Sequence, residues 1–332
     1  MLSSAKKKKS ELNSLEGFFF QDKERFDIDI TQDLVSVIIN VHNGCEYLEE
    51  AILSVIGQSY RNIELIVYDN CSTDNTRKIS EKYIDYLSYF YSNKFLTLPE
   101  ARIAAISISQ GKYLAFLDSD DFWHKEKIKK QVEQANNQDD FVMSWTNSYK
   151  LYENKLIRDE MAHSLHFNYQ NFVDTLFLNN PIVFSSTFFS RSAYFSVGGF
   201  DKSYKSSIDY DLYIKFLKIG KINYLDEFLT IYRVHKKNLS KLESMTIYED
   251  NVKILGKNLA HKNAKKGLMM NKLLLSISIA KEDKAWLDII YLIFTNLYCF
   301  ISICKIIFLR FFYKEALLTK NFDLLRSDNE KD

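Results

Sequence analysis

Four short apolar runs alternate with helix-like segments between residues 34 and 118, and this alternation limits the fold more than any other feature. The runs, rich in β-branched and aromatic residues, cover Leu34–Val41, Ile63–Tyr68, Leu87–Tyr91 and Tyr113–Leu117. Between the last two runs, Thr97 and Glu100 form a capping box that predicts a helix over 98–109. This β-α-β-α-β-α-β order predicts an α/β fold with a mostly parallel sheet, right-handed crossovers and flanking helices.

Three carboxylates follow the fourth apolar run within a short stretch: Asp118, Asp120 and Asp121. Ligands of open α/β sheets bind at the carboxyl ends of the strands, where this cluster is predicted to lie. Packed carboxylates repel one another, and a hard divalent cation such as Mg²⁺ or Mn²⁺ commonly offsets that repulsion. The alternative interpretation is a polar turn that caps the next helix. The first interpretation favours a metal-dependent enzyme acting on a phosphorylated or nucleotide-linked substrate.

Composition narrows the class of protein further. Hydrophobic residues make up 46% of the chain, which supports a sizeable core and disfavours global disorder. The net charge of +1 gives no argument for nucleic acid as a partner. The four cysteines lack metal-binding spacing and are interpreted as reduced. No signal-type apolar run follows the basic segment Lys6–Lys9, so we expect the catalytic part to face the cytoplasm.

The chain is predicted to have three parts. Residues 1–33 are polar without clear periodicity and are interpreted as an N-terminal arm. Residues 34–245 carry strand and helix patterns throughout, including a predicted strand at Phe184–Ser190. Residues 246–332 have helical patterns only. We therefore expect one α/β domain followed by a helical C-terminal extension.

Motif-like segments occur in a fixed order along the first two thirds of the chain. They are Leu34–Asn43, Asn62–Thr76, Ala101–Ile106, Phe116–Trp123, Gly198–Asp201 with Ile208–Leu212, and Tyr232–His235. Together they resemble the family 2 inverting glycosyltransferases, whose GT-A fold is a Rossmann-like sheet that binds a nucleotide-sugar. The resemblance implies a metal-dependent transfer of a sugar from a nucleotide-diphosphate sugar donor to a hydroxyl of a glycan or lipid-linked acceptor. It also implies a place in surface polysaccharide or lipopolysaccharide biosynthesis.

The chain departs from the family pattern at several positions. Asn40 replaces the usual proline before Val41. Asn70 and Cys71 replace the second acid and the glycine of the nucleotide loop. Ile103 replaces an asparagine, and Ile208 replaces the glutamate that usually precedes the catalytic aspartate. The last change leaves the aspartate intact but removes a neighbouring acid that could tune it.

The resemblance implies which residues bind the donor. The nucleotide-sugar-binding residues would be Val41, Asn43, Asp69, Arg102, Asp118 and Ser119. Asp69 would accept a hydrogen bond from the base or ribose, since a carboxylate suits such donors; the alternative is a turn cap. Asp120 and His235 would hold the divalent cation, Mn²⁺ or Mg²⁺, although His235 would alternatively contact the diphosphate. The alternative for Arg102 is an ordinary surface arginine.

An inverting transferase also needs a carboxylate that takes the proton of the acceptor hydroxyl. The resemblance implies Asp209 for this role, with Asp211 as its rival. Asp211 suits the first turn of a helix, where its charge is favourable with the helix dipole. We expect Asp211 on the acceptor side, together with Asn180, Ser185 and Ser186.

An apolar segment near the C-terminus predicts contact with a membrane. The uncharged run Ile289–Cys304 is shorter than the about 20 residues that span a bilayer. Over 286–314, polar and basic residues fall on about half of the helix circumference, and aromatic residues are prominent on the rest, as in helices that lie on a membrane surface. We expect a peripheral enzyme on the inner face of the cell membrane. Packing in a core or dimer interface, and a true span, are the alternatives.

Two other functions fit part of the pattern. A nucleotidyltransferase predicts a glycine-rich basic loop after the first strand, whereas His42-Asn43-Gly44 is followed by Cys45 and Glu46. A non-catalytic nucleotide-sugar-binding protein predicts loss of the acids, yet Asp118, Asp120 and Asp209 are all present. The identities of the sugar and the acceptor depend on loop shape, which the fold does not set.

Overall fold

The computed structural model describes residues 31–153, 155–159 and 169–282, which form two compact units. Of these described residues, the first unit comprises those up to Tyr149, Ile182–Tyr204 and Asp211–Arg233. The second comprises those within Lys150–Pro181, Lys205–Tyr210 and the described residues from Val234 onwards. The predicted boundary near residue 245 falls inside the second unit and stays a prediction. Most of the predicted arm, residues 1–30, and the segment 286–314 lie outside the described residues.

Four parallel strands build one half of the sheet in the first unit. They are β1 (Val35–Val41), β2 (Ile63–Asp69), β3 (Ser88–Tyr91) and β4 (Tyr113–Phe116), in the spatial order β3-β2-β1-β4. The apolar residues of β1, β2 and β4 are buried, as expected for strands covered on both faces, whereas the edge strand β3 is mostly exposed. Val41 pairs with Asp69 in the register of β1 and β2, so both strands end at the same edge of the sheet.

The other half of the sheet is antiparallel where its pairing is defined. It consists of β5 (Phe122–Trp123), β6 (Met143–Tyr152), β8 (Phe188–Ser190) and β9 (Ile222–Val234), with β7 (Lys155–Arg158) paired to β6 off the main order β4-β8-β6-β9-β5. Strand β8 is antiparallel to both β4 and β6, and β5 is antiparallel to β9. The predicted α/β class with flanking helices is confirmed, and the sheet is mixed because parallel pairing stops at β4.

Helices connect the strands and continue to the end of the described chain. They are α1 (Leu48–Ile56), α2 (Thr76–Glu81), α3 (Leu98–Ser107), α4 (Lys127–Asn136), α5 (Tyr169–Leu176), α6 (Arg191–Ser196), α7 (Ile208–Phe216), α8 (Leu239–Leu242), α9 (Ser244–Gly256) and α10 (Ala264–Glu282). The capping box of Thr97 and Glu100 is confirmed at the start of α3. The helical prediction beyond residue 245 is confirmed as far as residue 282.

The predicted strand at Phe184–Ser190 is wrong in its first half. Phe184–Ser186 forms a 3₁₀ turn, and only Phe188–Ser190 is a strand. The hydroxyl of Ser186 donates to the carbonyl of Val183 at 2.7 Å, and that of Thr187 donates to the carbonyl of Phe184 at 2.7 Å. Such local side-chain hydrogen bonds compete with strand pairing and stabilise a turn.

The helices α9 and α10 pack closely in the second unit. Ile254, Leu255 and Ala264 are completely buried. The Asn251 amide donates to the buried Asn271 side chain at 3.0 Å, so the helices share a polar contact as well as apolar ones. Of the helices in the described ranges, none has the length and apolar character needed to cross a membrane.

Candidate active site

The loops that follow β1 and β2 are joined by hydrogen bonds at the carboxyl edge of the sheet. The Nδ1–H group of His42 donates to the carbonyl of Asn70 at 2.8 Å. The backbone N–H of Asn43 donates to the Ser72 hydroxyl at 2.8 Å, and its side-chain oxygen accepts the Thr73 N–H at 2.8 Å. Asn43 has a φ of 51°, a left-handed conformation that asparagine tolerates better than most residues. The two loops therefore form one bonded surface.

Asp69 organises the second of these loops. It is completely buried, accepts the Ser72 N–H at 2.8 Å and accepts the Tyr89 hydroxyl at 2.6 Å. Burial and this hydrogen bond raise the pKa of Tyr89. The turn-cap alternative is therefore present in the structure, and contact of Asp69 with a nucleotide stays a prediction.

Asp74 carries a perturbed pKa in the same loop. Partial burial opposes ionisation, but hydrogen bonds from Thr76 and Cys45 outweigh it and lower the pKa of Asp74 to about 2. Its carboxylate accepts the backbone N–H of Cys45 at 3.0 Å and that of Thr76 at 2.9 Å. The ionised form of Asp74 therefore helps to hold the first loop against the second.

The departure at Asn70 has a structural reason. Its amide donates to the carbonyl of Leu96 at 2.8 Å, and its side-chain oxygen accepts the Leu96 N–H at 2.9 Å. An aspartate could accept but not donate, so it would lose half of this pair. Beside it, the ring of Phe95 is 63% exposed and makes an edge contact with His42 at 4.8 Å. Asn70 therefore fixes the loop that carries this exposed aromatic ring.

The three acids after β4 occupy different environments. The side chain of Asp118 is 40% exposed and pairs with Arg102 at 3.2 Å. Asp120 is partly exposed, whereas Asp121 is 1% exposed. Burial, and then the charges of Asp120 and Asp118, raise the pKa of Asp121 well above its usual range. Two acids thus face solvent above a third that is buried.

Ser185 bonds to both ends of this acidic turn. Its hydroxyl donates to Asp121 at 2.6 Å and accepts the N–H of Asp118 at 3.1 Å, while its carbonyl accepts the Trp123 indole N–H at 2.7 Å. Ser186 is buried as well, and its hydroxyl bonds to Val183. Because both serines are completely buried, acceptor contact by either stays a prediction that requires this segment to move.

Arg233 closes the turn from the other side. Its backbone N–H donates to Asp121 at 2.9 Å, and its Nε–H donates to the carbonyl of Asp120 at 3.0 Å. Its guanidinium pairs with Glu50 and lies 4.3 Å from the ring centre of Tyr47. No individual role was predicted for Arg233 or Glu50, although Arg233 lies in one of the motif-like segments.

Arg102 is not the surface arginine of the alternative interpretation. It is 6% exposed, and its guanidinium lies 3.8 Å from the ring centre of Phe184. Its charge compensates that of Asp118, and contact with a donor stays a prediction. Gly44 brings the first loop against the acidic turn, because a Cβ at this position would lie 2.9 Å from the Ser119 hydroxyl and 2.7 Å from Val41.

Lys127 is a buried lysine near the acidic turn, and it was not identified from the sequence. Its amine donates to Gln131 at 2.7 Å and lies 4.0 Å from the ring centre of Trp123. Burial lowers the pKa of Lys127 well below its usual range. A helical lysine gives no sequence signal of such burial.

The acidic turn suits a divalent cation that is only partly held by protein. Across the part of the chain that the structure describes, no three His, Cys, Asp or Glu side chains form a ready metal cage. A cation bound by one or two carboxylates, with water and phosphate oxygens completing its shell, needs no such cage. Asp118 and Asp120 supply hard oxygen ligands at the solvent-facing side of the turn, so the residues present fit Mg²⁺ or Mn²⁺.

Asp209 and Asp211 both lie in the first turn of α7 and have different partners. In the second unit, the Asn180 amide donates to the carboxylate of Asp209 at 3.2 Å, which brings together two predicted site residues. In the first unit, Asp211 is 7% exposed and pairs with Lys215 at 2.7 Å. The ion pair gives Asp211 a structural task and leaves Asp209 as the better candidate base.

His235 is held by its own turn in the second unit. Its ring Nδ1 accepts the N–H of Lys237 at 3.2 Å, and its backbone N–H donates to the Asn238 side chain at 2.6 Å. A neutral imidazole that accepts at Nδ1 carries its proton on Nε2. This tautomer suits donation to a phosphate oxygen, whereas ligation of a metal through Nε2 would need the other tautomer.

The sequence matches the family model described as Glycosyl transferase family 2 over residues 36–198. An uncharacterised glycosyltransferase of Rickettsia typhi is 34% identical over 61% of this chain, and the match spans 64% of that relative's length. The Escherichia coli UDP-Glc:alpha-D-GlcNAc-diphosphoundecaprenol beta-1,3-glucosyltransferase WfaP is 30% identical over 63% of this chain and 80% of its own length.

Two solved structures have the same fold. Staphylococcus aureus TarS 1-349 in complex with UDP-GlcNAc superimposes with a TM-score of 0.56 at 18% identity, covering 79% of this chain and 73% of that one. The mannosyltransferase PcManGT from Pyrobaculum calidifontis, in complex with GDP-Man and Mn²⁺, gives a TM-score of 0.56 at 15% identity, covering 78% and 79%. These similarities confirm the GT-A type of α/β fold.

Proposed function

The chain belongs to glycosyl transferase family 2, and we propose that it transfers a sugar, with inversion, from a nucleotide-diphosphate sugar to a hydroxyl of a glycan or lipid-linked acceptor. The reaction would serve surface polysaccharide or lipopolysaccharide biosynthesis. The name of WfaP, with its diphosphoundecaprenol acceptor, supports a lipid-linked acceptor. The nucleotide-sugars bound by the two structural neighbours support the class of donor.

The acidic turn is the observation that carries this proposal. Two solvent-facing acids, Asp118 and Asp120, follow β4, and a buried Asp121 below them is bonded to Ser185 and Arg233. So much negative charge, held in place by side chains from distant segments, is costly unless a ligand offsets it. The divalent cation that accompanies a nucleotide diphosphate would offset that charge.

In this proposal the loops after β1 and β2 hold the nucleoside. Val41 and Asn43 flank it with backbone and amide groups, Asp69 accepts from base or ribose, and Ser119 lies beside them near Gly44. Asp118 contacts the ribose or the water shell of the cation. Arg102 pairs with the Asp118 carboxylate and orients it.

Asp120 would hold the cation, and His235 would donate its Nε2 proton to the diphosphate or, as the other tautomer, would serve as a further ligand. When bound, the cation would neutralise the charge that develops on the leaving diphosphate, a Lewis-acid role.

Asp209 acts as the general base. It removes the proton of the acceptor hydroxyl while the oxygen attacks the anomeric carbon from the face opposite the diphosphate. A new C–O bond forms as the bond to the diphosphate breaks, and the proton remains on Asp209. Asn180, bonded to the Asp209 carboxylate, orients it on the acceptor side.

A donor panel tests the function. The full-length protein is incubated with UDP- and GDP-sugars, bacterial lipid extract and Mn²⁺, and nucleotide release is measured. We expect release with one donor class, its loss in EDTA and recovery with Mn²⁺ or Mg²⁺. Full activity in EDTA would contradict the metal assignment, and no release from any donor would contradict the function.

The same preparation tests the proposed place at the membrane. Full-length protein that sediments with anionic vesicles, and less with neutral ones, would support a peripheral enzyme on the inner face of the cell membrane. Protein that ignores both kinds of vesicle would contradict this proposal.

A further inference from the structure

Asp250, on helix α9, is a buried carboxylate that is not part of the acidic turn and is not the proposed base. It is 1% exposed, and a single oxygen, Oδ2, accepts the backbone N–H groups of three consecutive residues. The distances are 2.8 Å from Lys205, 2.8 Å from Ser206 and 3.2 Å from Ser207. Hydrogen bonds to an ionised acceptor are roughly twice as strong as neutral ones. Asp250 therefore fixes the loop that leads directly into α7.

Neighbouring groups of the same helix bind the loop as well. The Ser206 hydroxyl donates to Glu243, just before α9, and the Ser207 hydroxyl donates to the carbonyl of Ile247 at 3.5 Å. The charge of Asp250 also lies near the amino end of α7, where a negative charge stabilises a helix. The loop and the first turn of α7 are thus attached to α9 through one central anion.

The turn is held from its other side within the same unit. The Tyr210 hydroxyl donates to the carbonyl of Leu176 at 2.6 Å, and the Asn180 amide donates to Asp209 at 3.2 Å. Ile208 is completely buried, so the position where the family has a glutamate belongs to the core here. Asp209 therefore lies between a loop anchored by Asp250 and a tyrosine anchored on Leu176.

We propose that Asp250 is a positioning residue for catalysis: by holding the 205–207 loop it aims Asp209 at the acceptor hydroxyl. This inference rests on the proposed function, in which Asp209 is the general base. Without Asp250, three backbone N–H groups lose their shared acceptor and the loop rearranges. A misplacement of about 1 Å at a reacting group can cost about 100-fold in rate, which is the size of effect expected.

Asp250→Ala and Asp250→Asn test the role in the full chain. With a donor from the panel, Asp250→Ala should lower kcat about 100-fold while the donor KM changes less than about twofold. Asp250→Asn keeps one oxygen acceptor and should restore part of kcat. Glu249→Gln, at the exposed neighbouring position on α9, is the matched control and should retain the wild-type kcat.

Hydrogen exchange reports on the loop without any turnover. In Asp250→Asn, which is expected to fold, the amides of residues 205–207 should exchange about tenfold faster, while amides of β1 and β2 remain protected. Unchanged exchange, or unchanged kcat in a folded Asp250→Ala, would overturn the proposal. A wild-type protein without transferase activity, or an active Asp209→Asn, would overturn the proposed function itself, whatever the exchange result.

Discussion

The acidic turn of the first unit and the first turn of α7 both present carboxylates, but they are fixed in opposite ways. In the acidic turn the acids receive the hydrogen bonds: Ser185 and Arg233 bond to Asp121, and Arg102 pairs with Asp118. Before α7, a remote acid, Asp250, receives the backbone N–H groups of the loop. The first arrangement controls charge, and the second controls position.

This difference separates two kinds of functional loss. A change in the acidic turn alters the charge that the proposed donor diphosphate and cation would meet, so donor binding should suffer. A change near α7 alters the orientation of the proposed base, so turnover should suffer while donor binding persists.

Asp209→Asn should give the largest effect, and this effect should be confined to turnover. Loss of a general base lowers kcat about 100- to 10,000-fold, and donor affinity, measured by titration without acceptor, should be unchanged. Asp211→Asn breaks the ion pair with Lys215 and should mainly lower the melting temperature. A folded, inactive Asp211→Asn beside an active Asp209→Asn would mean that the other acid is the base.

Asp120→Asn should impair binding of the donor and its cation. Loss of the proposed ligand should lower kcat/KM about 100- to 1,000-fold and raise the Mn²⁺ concentration needed for activity. Asp139→Asn, an exposed acid of the same unit, is the control and should behave as wild type. An unchanged Mn²⁺ dependence in Asp120→Asn would assign the cation elsewhere.

Ser185→Ala tests whether the hydrogen bonds of the buried Ser185 hydroxyl to Asp118 and Asp121 stabilise the acidic turn. The change removes the acceptor for the Asp118 N–H and the donor to Asp121. The loss of these two hydrogen bonds, one of them to a buried carboxylate, should lower the free energy of unfolding by about 2 kcal/mol and weaken donor binding. Ser107→Ala, at an exposed position of α3, should change the free energy of unfolding by less than about 0.5 kcal/mol. Equal effects from both variants would show that the acidic turn does not need the Ser185 hydroxyl.

Asn70→Asp probes the loop that carries Phe95. Aspartate keeps the bond from the Leu96 N–H but cannot donate to the Leu96 carbonyl. We expect a loss of about 1 kcal/mol in the free energy of unfolding and faster proteolysis within residues 92–97. The control is Asn75→Asp at the exposed cap of α2. Unaltered proteolysis of Asn70→Asp would argue against a fixed loop.

The smallest effect concerns acid stability. The folded-state pKa of Asp74 is about 2, which is below its ordinary value. Its ionised form therefore stabilises the native protein at pH values above the ordinary pKa. That contribution should be lost as the pH falls from about 4 towards 2. Asp74→Asn should flatten the slope of melting temperature against pH in this window and leave the slope at higher pH unaltered. An identical slope in Asp74→Asn and the wild type would show that Asp74 does not contribute to acid stability.

The first half of the fold could be predicted well from local pattern. The four apolar runs predicted as strands form β1 to β4, and the capping box starts α3. Each of these depends on residues only a few positions apart, so the pattern survives in any tertiary context. The strand predicted at Phe184 failed because serine and threonine side chains formed local bonds that periodicity does not register.

The partners of the acids could not be predicted in the same way. Ser185 lies 64 positions from Asp121, and Arg233 lies 112 positions from it. Asp250 contacts a loop 43 to 45 positions earlier. No spacing rule connects such residues, since their meeting depends on how the sheet and helices pack.

The sequence by itself determined the α/β class and the four opening strands, because these follow from short-range periodicity, and it showed that acids follow β4 and that Asp211 suits the first turn of a helix. Tertiary structure decided which acids are exposed and which are buried. The sequence does not distinguish the buried Asp121 from its neighbours Asp118 and Asp120, or Asp250 from other aspartates, yet Asp121 and Asp250 are each buried among donors that folding brings together. A carboxylate tolerates burial only where hydrogen bonds replace its water, and those donors come from distant segments of the chain.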